Sequence, residues 1–536
     1  MLLTKLRTNK NSAKAKVTFC LCFLVFNNIV NAQIMHNDSI GISQLEKDIR
    51  IANPEVNFFK PFDFTDTYLY LQHTDLNFKR VQAPEKITKF GFASKGVFQL
   101  SPKVILSGNL DVSREDEKNV AFILTDERTT DQNYISNPSY YYVPRKSDWM
   151  KQNYQIGGNL AYQPIKNLFF TANVNGGFLK AYANSDPRPE IGNFRYDVGG
   201  KLGYKFRNHG LFLKMNYFNR KKESSIAYSV SELNAPSYYE TYIRFNRGYG
   251  NYYYNDGYAS SEYNFDGTSY GAEYQFSNFN HHFIIGYTND YYIDRIKYLY
   301  SEQRRDENNQ LNYFRMSIML SGLKTERHNI YARYMGNFGK WNLTSALDVK
   351  DQKDQNYNYV DYNTSYRVYN FETNFRNVLS KYNDKGELLR FYFDAKYGDQ
   401  DIKDISVVLQ KKLSFLNYQI GVEKQYRINH NQKVAFDIRQ GLYLPLDSEL
   451  IYLPYQSTKE NVFVKNIVMP DYFYDSSSRF SLGLKLKYLL DIKKVRYEMF
   501  VSGNQMFFVK NSENIDKSIY NTDKNSYYSF GINFYY

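Results

Sequence analysis

The chain has 536 residues with a formal net charge of +13, and 18% of its residues are aromatic, among them 54 tyrosines. A mean hydropathy of −0.61 excludes a bundle of transmembrane helices, because each such helix needs about 20 consecutive, mostly apolar residues. The longest basic run is Arg220-Lys221-Lys222, so the positive charge lacks the concentrated patch that nucleic-acid binding needs.

Residues 1–32 are organised like a secretory signal peptide. Basic residues without any acid precede an apolar stretch at 17–30, and a small-residue site follows before Gln33. A membrane-anchoring helix is the alternative, but the stretch is short and two asparagines interrupt it. We therefore expect export, with cleavage near Ala32-Gln33.

Both cysteines, Cys20 and Cys22, lie inside this segment. The exported chain is therefore predicted to carry no disulfide and no cysteine metal site. A closed, hydrogen-bonded barrel in a bilayer would hold such a chain together without disulfides.

Residues 33–65 fit no strand pattern and are predicted to lead into the main domain, residues 66–536. A short helix is expected at 44–51, before Asn53-Pro54. Two locations stay open for this segment, in the periplasm or inside the lumen of the domain that follows. The simpler interpretation is a tether to the first strand.

From residue 66 onwards, apolar and polar residues alternate in segments of strand length, beginning with a strand predicted near Thr67–Arg80. In the clearest segment the apolar residues are Phe194, Tyr196, Val198, Leu202, Tyr204 and Phe206. The residues between them include Arg195, Asp197, Lys201 and Lys205. Because side chains along a strand alternate between two faces, these segments are predicted to have one apolar and one polar face.

Short turns and longer polar stretches separate the predicted strands. The turns lie near 101–103, 164–167, 207–210, 277–280, 337–340, 381–387, 427–432 and 491–494. The longer stretches are 114–148, 221–266, 301–314, 351–365, 398–413, 444–478 and 509–526. Short turns on one side and long loops on the other are typical of outer-membrane β-barrels, with the short turns in the periplasm.

This pattern predicts an all-β fold, a transmembrane antiparallel up-and-down β-barrel. Counting the hairpins, a first strand and a closing strand gives about 18 strands, within a range of roughly 14–18. A soluble β-sandwich or propeller is the alternative fold. No blade-like repeat is visible, and a soluble protein would turn its apolar faces to its own core.

The chain ends in a strand with an aromatic face. The residues on this face are Tyr528, Phe530, Ile532, Phe534 and Tyr536. An unpaired apolar edge strand invites aggregation, whereas a barrel in lipid would pair the edge and turn this face to the membrane. This ending resembles the terminal strand of Gram-negative outer-membrane β-barrels, and the resemblance implies that these five residues form the C-terminal assembly signal.

The opposite, polar faces of the predicted strands carry charges of both signs, with a basic excess. Charges facing lipid are costly, so this face is expected to line a lumen. The lumen-lining candidates are Arg195, Asp197, Lys201, Lys205, Lys214, Glu273, Asp394, Lys396, Arg439 and Lys485. Because a barrel of about 16–18 strands can enclose an aqueous channel, these charges either line a path for polar solutes or pair off in a filled lumen.

A tyrosine-rich stretch at 232–266 is a second candidate site. Tyrosine among small polar residues offers a large amphipathic contact surface at low entropic cost. The candidates for an extracellular binding loop are Tyr238, Tyr239, Tyr249, Tyr252, Tyr253 and Tyr254. The alternative is an extended strand whose tyrosines belong to the interfacial girdle, which the barrel pattern favours.

No group of residues in the sequence indicates catalysis, a cofactor or a metal site. His281 and His282 are neighbours, and neighbours on a strand face opposite ways, which does not suit a shared metal ion. The metalloprotease motif H-E-x-x-H is absent. We expect no enzyme, and a rim enzyme is the least supported alternative.

The signal peptide, repeated hairpins, Tyr- and Asn-rich loops and aromatic terminus together resemble the uncharacterised outer-membrane β-barrel families, of the domain-of-unknown-function type, in Bacteroidota-like Gram-negative bacteria. The resemblance implies insertion by the barrel-assembly machinery through the terminal strand, and it transfers no functional residues. TonB-dependent receptors end in similar strands, but 33–65 is too short for their plug domain.

These observations together predict an outer-membrane channel or uptake barrel for polar solutes. A non-conducting barrel that serves outer-membrane assembly, secretion or adhesion is the main alternative. The expected partners are outer-membrane lipid, the assembly machinery and a polar or glycan ligand at the extracellular loops, with no nucleic acid.

Overall fold

The computed structural model describes residues 42–128, 137–229, 242–247, 252–255, 259–305, 310–357, 366–383, 387–453, 464–492, 495–509 and 524–535. The predicted signal peptide and its cleavage site lie outside the described residues.

Strands make up most of the described chain, and short helical segments precede or connect them. The strands are β1 (Phe64–Leu76), β2 (Lys86–Ser101), β3 (Val104–Ala121), β4 (Ser139–Tyr142), β5 (Lys146–Ile165), β6 (Leu168–Ala183), β7 (Arg188–Phe206), β8 (His209–Ala227), β9 (Ile243–Arg247), β10 (Tyr252–Asn255), β11 (Ala259–Ser277), β12 (His281–Arg305), β13 (Leu311–Phe338), β14 (Trp341–Tyr357), β15 (Tyr366–Tyr382), β16 (Leu388–Asp404), β17 (Leu409–Arg427), β18 (Gln432–Tyr452), β19 (Ser478–Ile492), β20 (Val495–Val509) and β21 (Lys524–Tyr535). The helices are α1 (Gln44–Ala52) and α2 (Met469–Asp475), with 3₁₀ turns at Pro54–Phe58 and Ile405–Val407 and a π-helical turn at Val464–Val468. Among the described residues, no helix is long and apolar enough to cross a membrane.

Eighteen of these strands form one closed antiparallel sheet. Within this sheet each strand pairs with the next barrel strand along the chain, so that β3 pairs with β5 and β8 with β11. The small strands β4, β9 and β10 form a separate sheet. The barrel closes where β1 pairs with both β2 and β21, for example Leu69 with Phe92 and with Ile532. The predicted up-and-down barrel and its strand number are confirmed, and closure leaves no unpaired edge.

The alternation along each strand separates an outer apolar face from an inner polar face. On β7, Phe194, Val198 and Leu202 are about half exposed on the outside. The intervening Lys201 points inwards, where its ammonium group meets Glu55 and Glu273. An apolar outer belt around a polar interior is the arrangement of a transmembrane β-barrel.

Several strands run further than the polar stretches of the sequence suggested. The regions predicted as loops at 301–314 and 398–413 are mostly strand, because β12 and β13 are 25 and 28 residues long and β16 and β17 meet within 404–409. Beyond the bilayer a strand keeps its hydrogen-bonded neighbours without needing an apolar face. Loss of the alternation therefore marks the membrane boundary and not the end of the strand.

Candidate functional site

Residues 42–63, which we call the plug, lie inside the barrel at its short-turn end. Ser43 caps the N-terminus of helix α1, and its Oγ accepts a hydrogen bond from the Glu46 backbone N–H at 3.1 Å. The helix ends at Ala52, Asn53 caps it, and Pro54 starts the 3₁₀ turn that follows. The sequence left open a periplasmic or a lumenal location, and the described part of this segment is lumenal.

A fully buried arginine ties the plug together. The guanidinium of Arg50 donates to Glu46 Oε1 at 2.8 Å, to Asn57 Oδ1 at 2.7 Å and to the Lys60 carbonyl at 2.8 Å. These three partners lie on the helix, the 3₁₀ turn and the chain that returns to the wall. The plug is therefore a compact unit and not an extended tether.

The plug contacts the wall on many strands around the lumen. Lys47 pairs with Asp66 on β1 at 2.7 Å, and Asp48 pairs with Lys95 on β2 at 2.6 Å. Further partners lie on β3, β5, β6, β7, β11, β12, β13 and β14: Ser107, Asn159, Phe169, Lys201, Gln275, His282, Asn337 and Thr344. The plug thus spans the lumen at this level.

The tightest of these contacts is a buried charge cluster. The Lys201 ammonium lies 2.9 Å from Glu55 Oε1, 3.2 Å from Glu273 Oε2 and 2.6 Å from Asn53 Oδ1. Gln275 donates to both carboxylates, and Tyr331 donates to Glu273 at 2.7 Å. Two carboxylates and one ammonium, all nearly inaccessible to water, join the plug to the wall.

Segments from the long-loop side enter the other end of the lumen. We call residues 78–84, 122–128, 137–145 and 464–477 the cap. Its Arg128 pairs with Glu117 of β3 at 2.8 Å, and its Asp126 accepts from Lys222 of β8 at 3.2 Å. Strand β4 of the cap also pairs with β9, which pairs with β10.

Helix α2 closes onto residues 78–84 through two aspartates. The Asp475 carboxylate pairs with Arg80 at 2.7 Å and with Lys411 at 2.5 Å. Asp471 accepts a hydrogen bond from the Val81 backbone N–H at 2.8 Å. The two parts of the cap, far apart in the sequence, are therefore held by short polar contacts.

Burial raises the pKa of Asp471 to about 6. Burial also opposes ionisation of Asp475, but the attraction of Arg80 and Lys411 outweighs it and lowers that pKa to about 2. A carboxyl whose pKa is raised in the folded state stabilises that state below its unfolded pKa, and this contribution is lost as pH rises through about 6. The equilibrium constant between the closed and the open cap should therefore favour the closed cap about tenfold more near pH 5 than near pH 7.5.

Hydrogen exchange of peptides covering 78–84 and 469–475, corrected for the intrinsic rate at each pH, measures this difference. Asp471→Asn should remove the pH dependence. Asp475→Asn should increase hydrogen exchange of the cap at both pH values, and the difference between the two pH values should remain. Equal protection of the unmodified protein at both pH values would show that Asp471 does not titrate in this range.

Between plug and cap the lumen holds polar cavities of about 440, 550, 590 and 810 Å³. Eight of the ten lumen-lining candidates border them: Arg195, Asp197, Lys201, Lys214, Asp394, Lys396, Arg439 and Lys485. The other two meet the plug and its cluster, Lys205 above the Phe59 ring and Glu273 beside Lys201. All ten candidates therefore lie on the interior side of the barrel, but several of them form ion pairs with neighbouring side chains.

The remaining candidates lie elsewhere. Tyr238, Tyr239 and Tyr249 fall outside the described residues, and residues 252–254 belong to β10, which pairs with β9. In β21, Tyr528 and Phe530 are each 49% exposed on the outer face. Ile532 and Phe534 are partly covered, and Tyr536 falls outside the described residues.

Glu55 and Asn53, the plug side of the charge cluster, are not among the residues predicted from the sequence. One signal was available, because Ser43 and Glu46 stand at the spacing of a capping box, which marks the start of a stable helix. Residues 267–271 match the hydrolase spacing G-x-S-x-G. That motif needs a strand-to-helix turn, whereas these residues lie within β11, paired to β8 and β12.

Among the described residues, no group of three or more histidine, aspartate or glutamate side chains could hold a metal ion.

The sequence model of the family described as "Family of unknown function (DUF6850)" matches residues 56–536. No curated protein matches the chain significantly. Similar solved structures include the siderophore receptor PiuA from Acinetobacter baumannii, 8% identical with a TM-score of 0.37 over 89% of this chain and 82% of that one. Another is the ferric-catecholate import receptor Fiu from E. coli K12, 8% identical with a TM-score of 0.35 over 89% and 82%. At these values neither carries an argument about function.

Proposed function

The chain belongs to the DUF6850 family of unknown function, and we propose that it is an outer-membrane uptake barrel for polar solutes in which the plug acts as a gate. The observation that carries the proposal is the set of polar cavities between plug and cap. A barrel of this strand number is wide enough for an aqueous channel. Charged side chains on its inner wall favour hydration of the lumen.

An outer-membrane location is supported by the closed barrel and its exposed apolar belt, since only a closed sheet satisfies all its backbone groups in lipid. We propose membrane lipid as the surrounding partner and the barrel-assembly machinery as the partner of β21. A polar or glycan ligand at the extracellular loops remains a further proposal. We propose no catalytic activity.

The gating role of the plug is supported by how it is attached. It precedes β1 in the chain and adds no strand to the barrel, so it can leave the lumen without breaking a wall hydrogen bond between strands. Its polar wall contacts are ion pairs and hydrogen bonds made by side chains, which water can replace, and apolar packing against residues such as Ile284 and Met335 holds it in the lumen besides. A segment built into the sheet could not move in this way.

The buried charge cluster also favours the second candidate, a non-conducting barrel for assembly, secretion or adhesion. Desolvated ion pairs are costly to break by removing one partner, and they would suit a permanently filled lumen. The two candidates differ in whether the plug ever moves.

The test is uptake into liposomes that contain the refolded mature barrel, together with single-channel recording in planar bilayers. We expect slow passage of small polar solutes and brief, infrequent conductance steps, because the plug occupies the lumen most of the time. A folded barrel that passes neither ions nor small sugars under any condition would contradict the uptake function and leave the non-conducting candidate.

A further inference from the structure

The cavities between plug and cap differ in charge. The 440 and 810 Å³ cavities are bordered by seven basic and two acidic side chains, whereas the 550 and 590 Å³ cavities are bordered by eight basic and seven acidic ones. The first two share Thr74, Gln419, Asn504 and Tyr527. We call this joint space, along β15–β21, the basic chamber.

Strand register brings its polar side chains into one continuous surface. Arg376 of β15 lies opposite Asp394 of β16, which lies opposite Gln419 of β17. On the next two strands, Arg439 lies opposite Gly483, and Lys485 opposite Asp437. Side chains on one face of adjacent strands lie about 5–8 Å apart, so a single bound molecule could reach several of these cations.

Some of these cations are incompletely neutralised. Among the described residues, Lys485 has no carboxylate within ion-pair distance, and its ammonium lies 3.8 Å from the Phe500 ring centroid. Arg376 reaches Asp348 only at 3.6 Å, and that carboxylate also pairs with Arg333. The Arg439 side chain pairs with Asp437 and is still 38% exposed. Guanidinium and ammonium donors are therefore free to take an anionic group.

The outer end of the chamber adds aromatic faces and amides. The rings of Phe415 and Tyr443 stack with centroids 5.2 Å apart, and the Arg479 guanidinium lies 3.8 Å from the Tyr443 ring. Amide side chains border the same space: Asn374, Asn417, Gln419 and Asn504. These rings and the Arg479 guanidinium cover one another, whereas the amides suit the hydroxyl groups of a pyranose and the guanidinium forks of Arg376 and Arg439 suit a carboxylate.

We propose that the basic chamber binds a short acidic oligosaccharide, with its carboxylates at Arg376, Arg439 and Lys485. The inference rests on the proposed uptake function and names the class of solute. The chamber is large enough for more than one sugar, since its two cavities fall within the range of about 300–1,000 Å³ that small-molecule sites occupy.

The experiment is calorimetric titration of the refolded mature barrel in detergent with trigalacturonate, and with maltotriose as the neutral trisaccharide. We expect binding of trigalacturonate, weakened by salt, and at least about tenfold weaker binding of maltotriose, since each charge-assisted hydrogen bond contributes about tenfold or more in affinity. The double variant Arg439→Gln/Lys485→Gln should lose about tenfold or more in affinity.

Two matched variants separate charge from general damage. Lys485→Arg keeps the charge and should retain binding. Lys214→Gln removes a cation from the charge-balanced 590 Å³ cavity, which shares no lining residue with the basic chamber, and should therefore leave the affinity within about twofold. Equal affinity for both sugars, no binding of either, or full binding by the double variant would each overturn the inference.

Liposome uptake of a small neutral sugar by the same preparation separates the two proposals. Uptake without trigalacturonate binding retains the uptake function and rejects the basic chamber as an acidic-sugar site. Trigalacturonate binding without any uptake retains the site and rejects transport.

Discussion

Deletion of residues 43–60 is expected to raise the mean single-channel conductance about tenfold or more above that of the intact chain. The reason is that the deletion reopens the short-turn end of a barrel wide enough for an aqueous channel, while the cap stays at the other end. The deletion removes the helix and 3₁₀ turn that span the lumen and leaves every pairing between wall strands in place. Planar-bilayer recording of both proteins measures the change.

The deletion also exposes apolar wall residues such as Ile284 and Met335, which pack with the plug, so a second variant guards against misfolding. Asp48 and Lys95 form an ion pair between plug and wall, and the mature chain is predicted to lack cysteine. Asp48→Cys/Lys95→Cys joined by a short, cleavable thiol cross-linker should abolish uptake, and cleavage should restore it. Undiminished uptake by the cross-linked protein would show that the plug does not gate the lumen.

Lys201→Met is expected to loosen the plug by about 3–5 kcal/mol, the usual cost of leaving buried charges without their partner. The substitution leaves the carboxylates of Glu55 and Glu273, both nearly inaccessible to water, facing each other without a cation. A cysteine in place of the fully buried Val56 reports the loosening through its rate of maleimide labelling. That rate should rise by roughly a hundredfold or more.

Lys214→Met is the matched control, because Lys214 borders the same 590 Å³ cavity as Lys201. Its ammonium lies 5.8 Å from the centroid of the Tyr331 ring. In the described residues it has no carboxylate partner within ion-pair distance. Its removal should change labelling by less than about fivefold, since no buried carboxylate loses its partner. Similar acceleration in both variants would mean that the cluster does not hold the plug.

The barrel itself could be predicted from the residues, because one face of each strand meets lipid and the other meets the polar lumen. This imposes a period of two on the sequence. Val198 and Leu202 must meet lipid, and Asp197 and Lys201 must meet water or a partner, so their alternation records the strand and its orientation. The aromatic face of Tyr528 and Phe530 carried the same information for the closing strand. These signals are local and can be read along the chain.

The sequence alone therefore determined the barrel class, the alternation within the apolar belt and the polar nature of the interior, but not how far the strands extend beyond that belt. Only the tertiary structure decided that residues 42–63 fill one end of the lumen and that Asp475 joins the cap to Arg80 and Lys411. It also decided that Lys201 meets Glu55 and Glu273, and that Lys485 has no such partner in the part of the chain that the structure describes. Pairing depends on which side chains meet across the lumen from positions that are tens to hundreds of residues apart in the chain. No period along the sequence encodes those separations.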